Sequence, residues 1–160
     1  AWLDMVRPGI MIYGFRPDAE TPATIPLKPG MSFLTRVSFL KRVAAGTSIG
    51  YGRTWIAPRD TFIATIPAGY ADGFNRLFSN RGRVLIGGRS HPLVGRVCMD
   101  QSMVDLGPET DVAVGDEVVL MGRSGEAEIR CEEWAEKLGT ITYEVTCQVS
   151  PRVTRVYDPY

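Results

Sequence analysis

Apolar residues come in short runs between positions 31 and 129, and Gly, Pro, Asn and Asp punctuate the gaps. That length and punctuation predict strands. The run at 31–43 reads as one long strand, with Arg36, Lys41 and Arg42 marking a wet face. Residues 61–66 form a second strand, running into a turn-rich stretch at 67–73. Residues 83–86 and 92–98 read as short strands around Gly87-Gly88, and 102–106 as another. A hairpin is expected from 117–121 to 126–129 across Gly122 to Gly125. The apolar run at 5–14 is also strand-like, with Pro8 restricting it to an edge or a strand start. The period then changes. Trp134, Ala135 and Leu138 share one helical face over 132–138, and Gly139 is the stop. Thr140 is a candidate cap for a second helix at 141–149, where Ile141, Val145 and Val149 keep helical spacing. Alternation at 152–157 predicts a last strand. The fold class expected is mainly β, a barrel-like or sandwich domain with a short helical segment near the C-terminus.

Composition narrows the function. With 160 residues the chain is one domain, or one with a short appendage. Lys plus Arg and Asp plus Glu both total 18, so no global field attracts nucleic acid or anionic lipid. No apolar run approaches membrane-spanning length. Cys98, Cys131 and Cys147 form no Cys-x-x-Cys pair, and His91 is the only histidine. That argues against a zinc or other metal site and for a reducing, cytoplasmic compartment. Four prolines at 16–29 suggest a linker. The chain opens Ala1-Trp2-Leu3-Asp4, without methionine, straight into an apolar run, as expected of the back part of something longer.

Candidate chemistry centres on Ile49-Gly50-Tyr51-Gly52-Arg53-Thr54-Trp55. Glycines on both sides permit backbone angles closed to other residues and let a ligand or second chain approach. Tyr51 is therefore expected on a tight, bare loop with its phenol outward. The bland alternative is a turn aromatic packing one face on a neighbour. Gly50-x-Gly52 is not a dinucleotide fingerprint, because Trp55 stands where a third glycine belongs and no helix clearly opens there.

Five segments in order, Met5-Val6-Arg7-Pro8-Gly9-Ile10 with Tyr13-Gly14, Gly50-Tyr51-Gly52-Arg53-Thr54, Gly69-Tyr70-Ala71-Asp72-Gly73, Gly95-Arg96-Val97-Cys98-Met99-Asp100-Gln101 and Thr142-Tyr143-Glu144-Val145, resemble the C-terminal half of bacterial alanine racemases. These are fold-type III pyridoxal-phosphate enzymes. The resemblance implies an N-terminal (β/α)8 barrel, absent here, that holds the cofactor on a lysine. It also implies a β domain that reaches into the partner subunit's site. Residues 1–15 would be the last barrel strand and loop, 16–30 a linker and 31–160 the β domain. None of Lys28, Lys41 and Lys137 sits in a pattern like the family's cofactor lysine, so the isolated chain is expected to be inactive. For the whole protein the resemblance implies a homodimer that interconverts L- and D-alanine and supplies D-alanine for peptidoglycan. Two alternatives stay open: a non-catalytic β-domain dimerisation module, and a racemase of broader specificity that includes serine.

The same resemblance assigns roles. Racemisation removes a proton from one face of Cα and returns one to the other, so it needs an acid/base group on each face. Tyr51 would be one of them, acting in the partner's site. A free phenol titrates near pH ~10, so cationic neighbours would have to favour phenolate. Arg7 would face the pyridine nitrogen and leave it unprotonated, because a guanidinium keeps its protons. The backbone N–H groups of Gly9 and Ile10, and the Tyr143 hydroxyl, would hold the cofactor phosphate. The Met99 amide would bind the substrate carboxylate. Tyr70, Arg76, Arg96 and Ile141 would form the entry channel, narrow enough to favour alanine. Read singly, Arg7, Arg76 and Arg96 are more readily surface charges than site residues, and Tyr143 is as readily a packed helix aromatic.

Overall fold

A computed structural model describes residues 4–18, 20–22 and 24–157. Among them are ten strands: β1 (Phe33–Arg36), β2 (Phe39–Val43), β3 (Ser48–Ile49), β4 (Trp55–Ile56), β5 (Thr61–Ile66), β6 (Arg83–Ile86), β7 (Arg89–Val94), β8 (Ser102–Gly107), β9 (Glu117–Ser124) and β10 (Ala127–Ile129). Two helices follow, α1 (Cys131–Leu138) and α2 (Thr142–Gln148). The main sheet is antiparallel in the order β1-β9-β6-β7-β8-β5-β2, with β10 on β9 and a separate β3-β4 ribbon. No helix among the described residues is long and apolar enough to cross a membrane.

The run expected as one strand at 31–43 is two, and the break makes the architecture. The Val37 N–H donates to Asp116 O at 2.9 Å, and the Ser38 N–H donates to Thr65 O at 2.9 Å. Two residues thus carry the chain from β9 at one end of the sheet to β5 at the other. The sheet curls back on itself, which is the barrel-like form rather than a sandwich.

Local chemistry explains most turns. Gly87 and Gly88 both have positive φ (56° and 76°), as a two-residue turn between β6 and β7 requires. The β9-β10 hairpin turns at Gly125-Glu126, later than expected, because Gly122 still pairs with Ile129. The strand expected at 92–98 starts earlier and stops at Val94, where Gly95 takes φ +74°. Residues 5–14 do not form a strand. Gly9–Tyr13 is a 3-10 helix, with Gly9 at φ +62° and Gly14 at +81°. Residues 152–157 form no strand either: Ser150 to Val153 is a turn, and Arg155 spends its guanidinium on the carbonyls of Val149 and Val153, both at 2.8 Å. Gly139 stops α1 at φ +69° as expected. Thr140 bonds the Glu144 carboxylate instead of capping the α2 backbone.

The core lies between the curled sheet and the helices. Trp134 on α1 packs against Phe74 and Phe78 at 5.4 and 4.8 Å between ring centroids, and its Nε1 donates to Leu120 O at 3.2 Å. A smaller buried cluster of Val43, Ile49, Ala57, Ile63 and Val94 sits at the roots of β3 and β4. It holds the loop between those two strands, and that loop carries Tyr51.

Candidate functional site

Tyr51 opens a single 3-10 turn between β3 and β4, flanked by Gly50 at φ +74° and Gly52 at +73°. The residue is 74% exposed, so the outward phenol expected on a bare loop is what the fold presents. Both glycines need their positive φ, and both also lie close to Arg96. A Cβ on Gly50 would stand 3.3 Å from Arg96 N, and one on Gly52 would stand 3.3 Å from Arg96 Nε. A Cβ on Gly95 would lie 2.8 Å from Ile49 O. The Tyr51 loop and the chain leaving β7 therefore lie backbone against backbone.

Two residues absent from the sequence reading fasten this contact. Asn80 accepts from Gly95 N–H at 2.7 Å and donates to Thr54 O at 3.4 Å. Ser79 accepts from Val97 N–H at 3.0 Å. The available signal was Asn80-Arg81-Gly82, a turn sequence with an asparagine suited to the positive φ it adopts, 56°.

Beside the loop opens a cavity of about 860 Å³, lined by Tyr51, Tyr70, Arg76, Arg96, Met99 and their neighbours. Five residues distant in sequence thus share one wall system. Arg76 and Arg96 form no ion pair among the described residues. Asp100, also on the lining, is taken by Arg152. The cavity therefore carries uncompensated positive charge, suited to a carboxylate. Cys98 lies half-buried on the same wall; burial pushes its thiol pKa up, against the nearby Arg76 charge.

Ile10 and Tyr143 line a second cavity, about 380 Å³. The Ile10 N–H donates to the Tyr143 hydroxyl oxygen at 3.4 Å, which leaves the phenol's own hydrogen free to donate. A Cβ on Gly9 would come 2.5 Å from that oxygen. The free phenol hydrogen, beside the Ile10 amide and a glycine held at positive φ, makes a cradle for an oxyanion, and a cofactor phosphate fits that donor set. Arg7 is exposed and forms no ion pair among the described residues. Ile141 lines neither cavity; it borders a third of about 460 Å³ with Arg16, Arg130 and several glutamates. None of Lys28, Lys41 and Lys137 lines the two cavities that gather the candidate residues, and Lys137 pairs with Glu133 at 4.0 Å.

The geometry sorts the candidates into a Tyr51 group and a Tyr143 group that share no cavity within the chain. Comparison with known proteins adds to this. Residues 30–157 match the family described as alanine racemase, C-terminal domain. An alanine racemase from Chlorobaculum tepidum is 54% identical over 156 residues, 98% of this chain and 40% of that protein. One from Cutibacterium acnes is 52% identical over 153 residues, again 40% of its length. The solved alanine racemase from Streptomyces coelicolor A3(2) superposes with a TM-score of 0.90 at 39% identity, covering 97% of this chain and 41% of that one.

Proposed function

Since this chain belongs to the alanine racemase C-terminal domain family, we propose that it is the part of a pyridoxal-phosphate-dependent racemase that contributes one proton-transfer group, Tyr51, to a site shared between two subunits. The chain spans about 40% of the length of the curated relatives it matches, so the activity belongs to the longer protein. The observation that carries the reading is the cavity itself. It gathers Tyr51, Tyr70, Arg76, Arg96 and Met99, leaves the phenol bare, and leaves two guanidinium groups without carboxylate partners among the described residues.

Pyridoxal phosphate, held on a lysine outside this chain, would supply the electron sink that makes the Cα proton of alanine removable. This chain's own residues do the rest. Arg76 and Arg96 draw the amino acid's carboxylate to the mouth, and the Met99 N–H binds it. Tyr51 gives or takes the Cα proton on one face, and closure against a second subunit excludes water from the phenol. In the chain's own half-site Gly9, Ile10 and Tyr143 would hold the cofactor phosphate, and Arg7, which keeps its protons, would leave the pyridine nitrogen unprotonated. Tyr70 narrows the channel sterically, which favours alanine over larger side chains by a modest factor, whereas Ile141 borders a different cavity and takes no part in it within this chain. The separation of the two groups within one chain supports a homodimer in which each subunit completes the other's site. The product, D-alanine, would feed peptidoglycan synthesis in the cytoplasm. The isolated chain, with no lysine lining either cavity, is expected to be inactive and to serve as the dimerising β domain.

A hybrid-dimer assay tests the proposal. Tyr51→Phe in the full-length protein and a variant lacking the cofactor lysine should each be inactive. Mixed and allowed to exchange subunits, they should recover alanine racemisation, because one site per hybrid is then complete. No recovery, or full activity of Tyr51→Phe alone, would contradict it. A panel of amino acids that includes serine sets the breadth of specificity.

A further inference from the structure

The segment after α2 was expected to be a strand, and its first arginine does something else. Arg152 bridges two carboxylates, one of which, Asp100, lines the large cavity. Its Nε donates to Asp72 Oδ1 at 2.7 Å and its Nη2 to Asp100 Oδ1 at 2.5 Å. These carboxylates stand on two different segments: Asp72 closes the Tyr70–Asp72 turn, and Asp100, which lines the large cavity, follows Met99 on the turn at 98–101. The two bonds hold the guanidinium firmly in its charged form. A planar fork can serve both carboxylates at once, which a single ammonium cannot do in the same geometry.

The same two segments meet through their backbones. The Tyr70 N–H donates to Cys98 O and the Ala71 N–H to Met99 O, each at 3.0 Å. Only glycine allows this at position 69, where a Cβ would lie 2.3 Å from Cys98 O and 2.4 Å from Met99 O. The second Asp72 oxygen accepts from Gly69 N–H at 2.8 Å, and the Ser150 N–H donates to Asp72 O at 3.1 Å, which brings the Arg152 segment alongside. The consequence for Met99 is geometric. Its N–H and the Cys98 carbonyl belong to one planar trans peptide, so fixing the carbonyl fixes the direction of the N–H.

We propose that Arg152 is a positioning residue for substrate carboxylate binding: by tying Asp100 to Asp72 it holds the turn at 98–101 in the orientation that presents the Met99 amide. This rests on the role proposed above for Met99. Arg152 itself touches neither substrate nor cofactor. The Met99 amide meets the carboxylate equally before and during proton transfer, so its displacement weakens uniform binding and shows in KM rather than kcat.

The test uses the full-length enzyme with Arg152→Gln, Arg152→Lys, Asp100→Asn and the Arg152→Gln/Asp100→Asn double variant. Asp72 is spared because it also anchors Gly69. Steady-state kinetics on alanine are paired with the rate of Cys98 alkylation by iodoacetamide, read by peptide mass spectrometry. Cys98 lies on the turn, half-buried, with its thiol 3.5 Å from Arg96 O, so its exposure reports the order of the turn without reference to activity. Arg152→Gln should raise KM about tenfold and change kcat less than about threefold. Cys98 should alkylate about tenfold faster, as a locally opened segment does. Asp100→Asn should behave alike, the double variant should be no worse than either single, and Arg152→Lys, which keeps the charge and the fold, should recover only part of KM. Unchanged KM, with or without faster alkylation, overturns the proposal. So do effects that multiply in the double variant, or full rescue by lysine. If the wild-type enzyme does not racemise alanine, the reading of the site fails instead, and the alkylation rates alone decide whether Arg152 orders the turn.

Discussion

Gly95→Ala and Gly46→Ala form a matched pair that separates backbone strain from the contact that holds the Tyr51 loop. Both glycines have positive φ, 74° and 82°. An added Cβ on Gly46 meets nothing within 4 Å, whereas on Gly95 it stands 2.8 Å from Ile49 O and 3.6 Å from Gly50 Cα. The left-handed conformation alone costs an L-residue about 1–2 kcal/mol, and that is the whole expectation for Gly46→Ala. At Gly95 the obstacle is backbone and cannot rotate away, so the Tyr51 loop must move, at a further cost of about 1–3 kcal/mol. Urea unfolding of the chain reads the difference: with a slope of about 2 kcal/mol/M, the midpoint falls by roughly 0.5–1 M for Gly46→Ala and by roughly 1–2.5 M for Gly95→Ala. In the full-length enzyme a loop displaced by about an ångström should cost about a hundredfold in turnover, and Gly46→Ala should cost little. Equal midpoints and equal turnover for the two variants would refute the idea that this contact sets the position of Tyr51.

Gly9→Ala should drive the Tyr143 hydroxyl off the Ile10 amide, and Tyr143→Phe should forfeit that bond at about 0.5–1.5 kcal/mol. Because the clash is with the hydroxyl, the double variant should cost at least about 0.5 kcal/mol less than the sum, measured by urea unfolding. Burial, with the adjacent Glu132 charge, pushes the Cys131 thiol up to about 12, so native protein should alkylate at exposed Cys147 and spare Cys131 until it unfolds, as mass spectrometry would show. Burial and then the Arg89 charge lower the His91 pKa, and its Nε2 is buried without a partner among the described residues. The folded state therefore binds that proton less readily than the unfolded one. Stability should be fully present above about pH 6.5 and fall as pH drops below it, and His91→Gln should flatten that part of the curve.

What could be read along the chain was whatever local chemistry decides. Gly139 stops a helix because its own φ is positive, Gly87-Gly88 make a turn for the same reason, and the face shared by Trp134 and Ala135 is set by helical period. Paired glycines marked the Tyr51 loop as bare before any fold was known. What was missed is decided by distant partners. Residues 31–43 look continuous, and only the competing carbonyls of Asp116 and Thr65 split them. The apolar run at 5–14 suits a strand, yet Gly9 must pass under the Tyr143 hydroxyl. Arg152 sits in an alternating pattern that its two carboxylates override. The same holds for the site. Tyr51, Tyr70 and Met99 carried a resemblance, but that they share a cavity depends on Gly69 and Gly95 allowing three loops to touch.

The central claim is that the Tyr51 phenol handles the Cα proton on one face only. Deuterium incorporation at Cα, followed in D2O for each alanine enantiomer separately with full-length Tyr51→Phe, tests it most directly. The account predicts that racemisation is lost and that one enantiomer still exchanges while the other does not. Exchange of both enantiomers at the unsubstituted enzyme's rates, with racemisation intact, would contradict it.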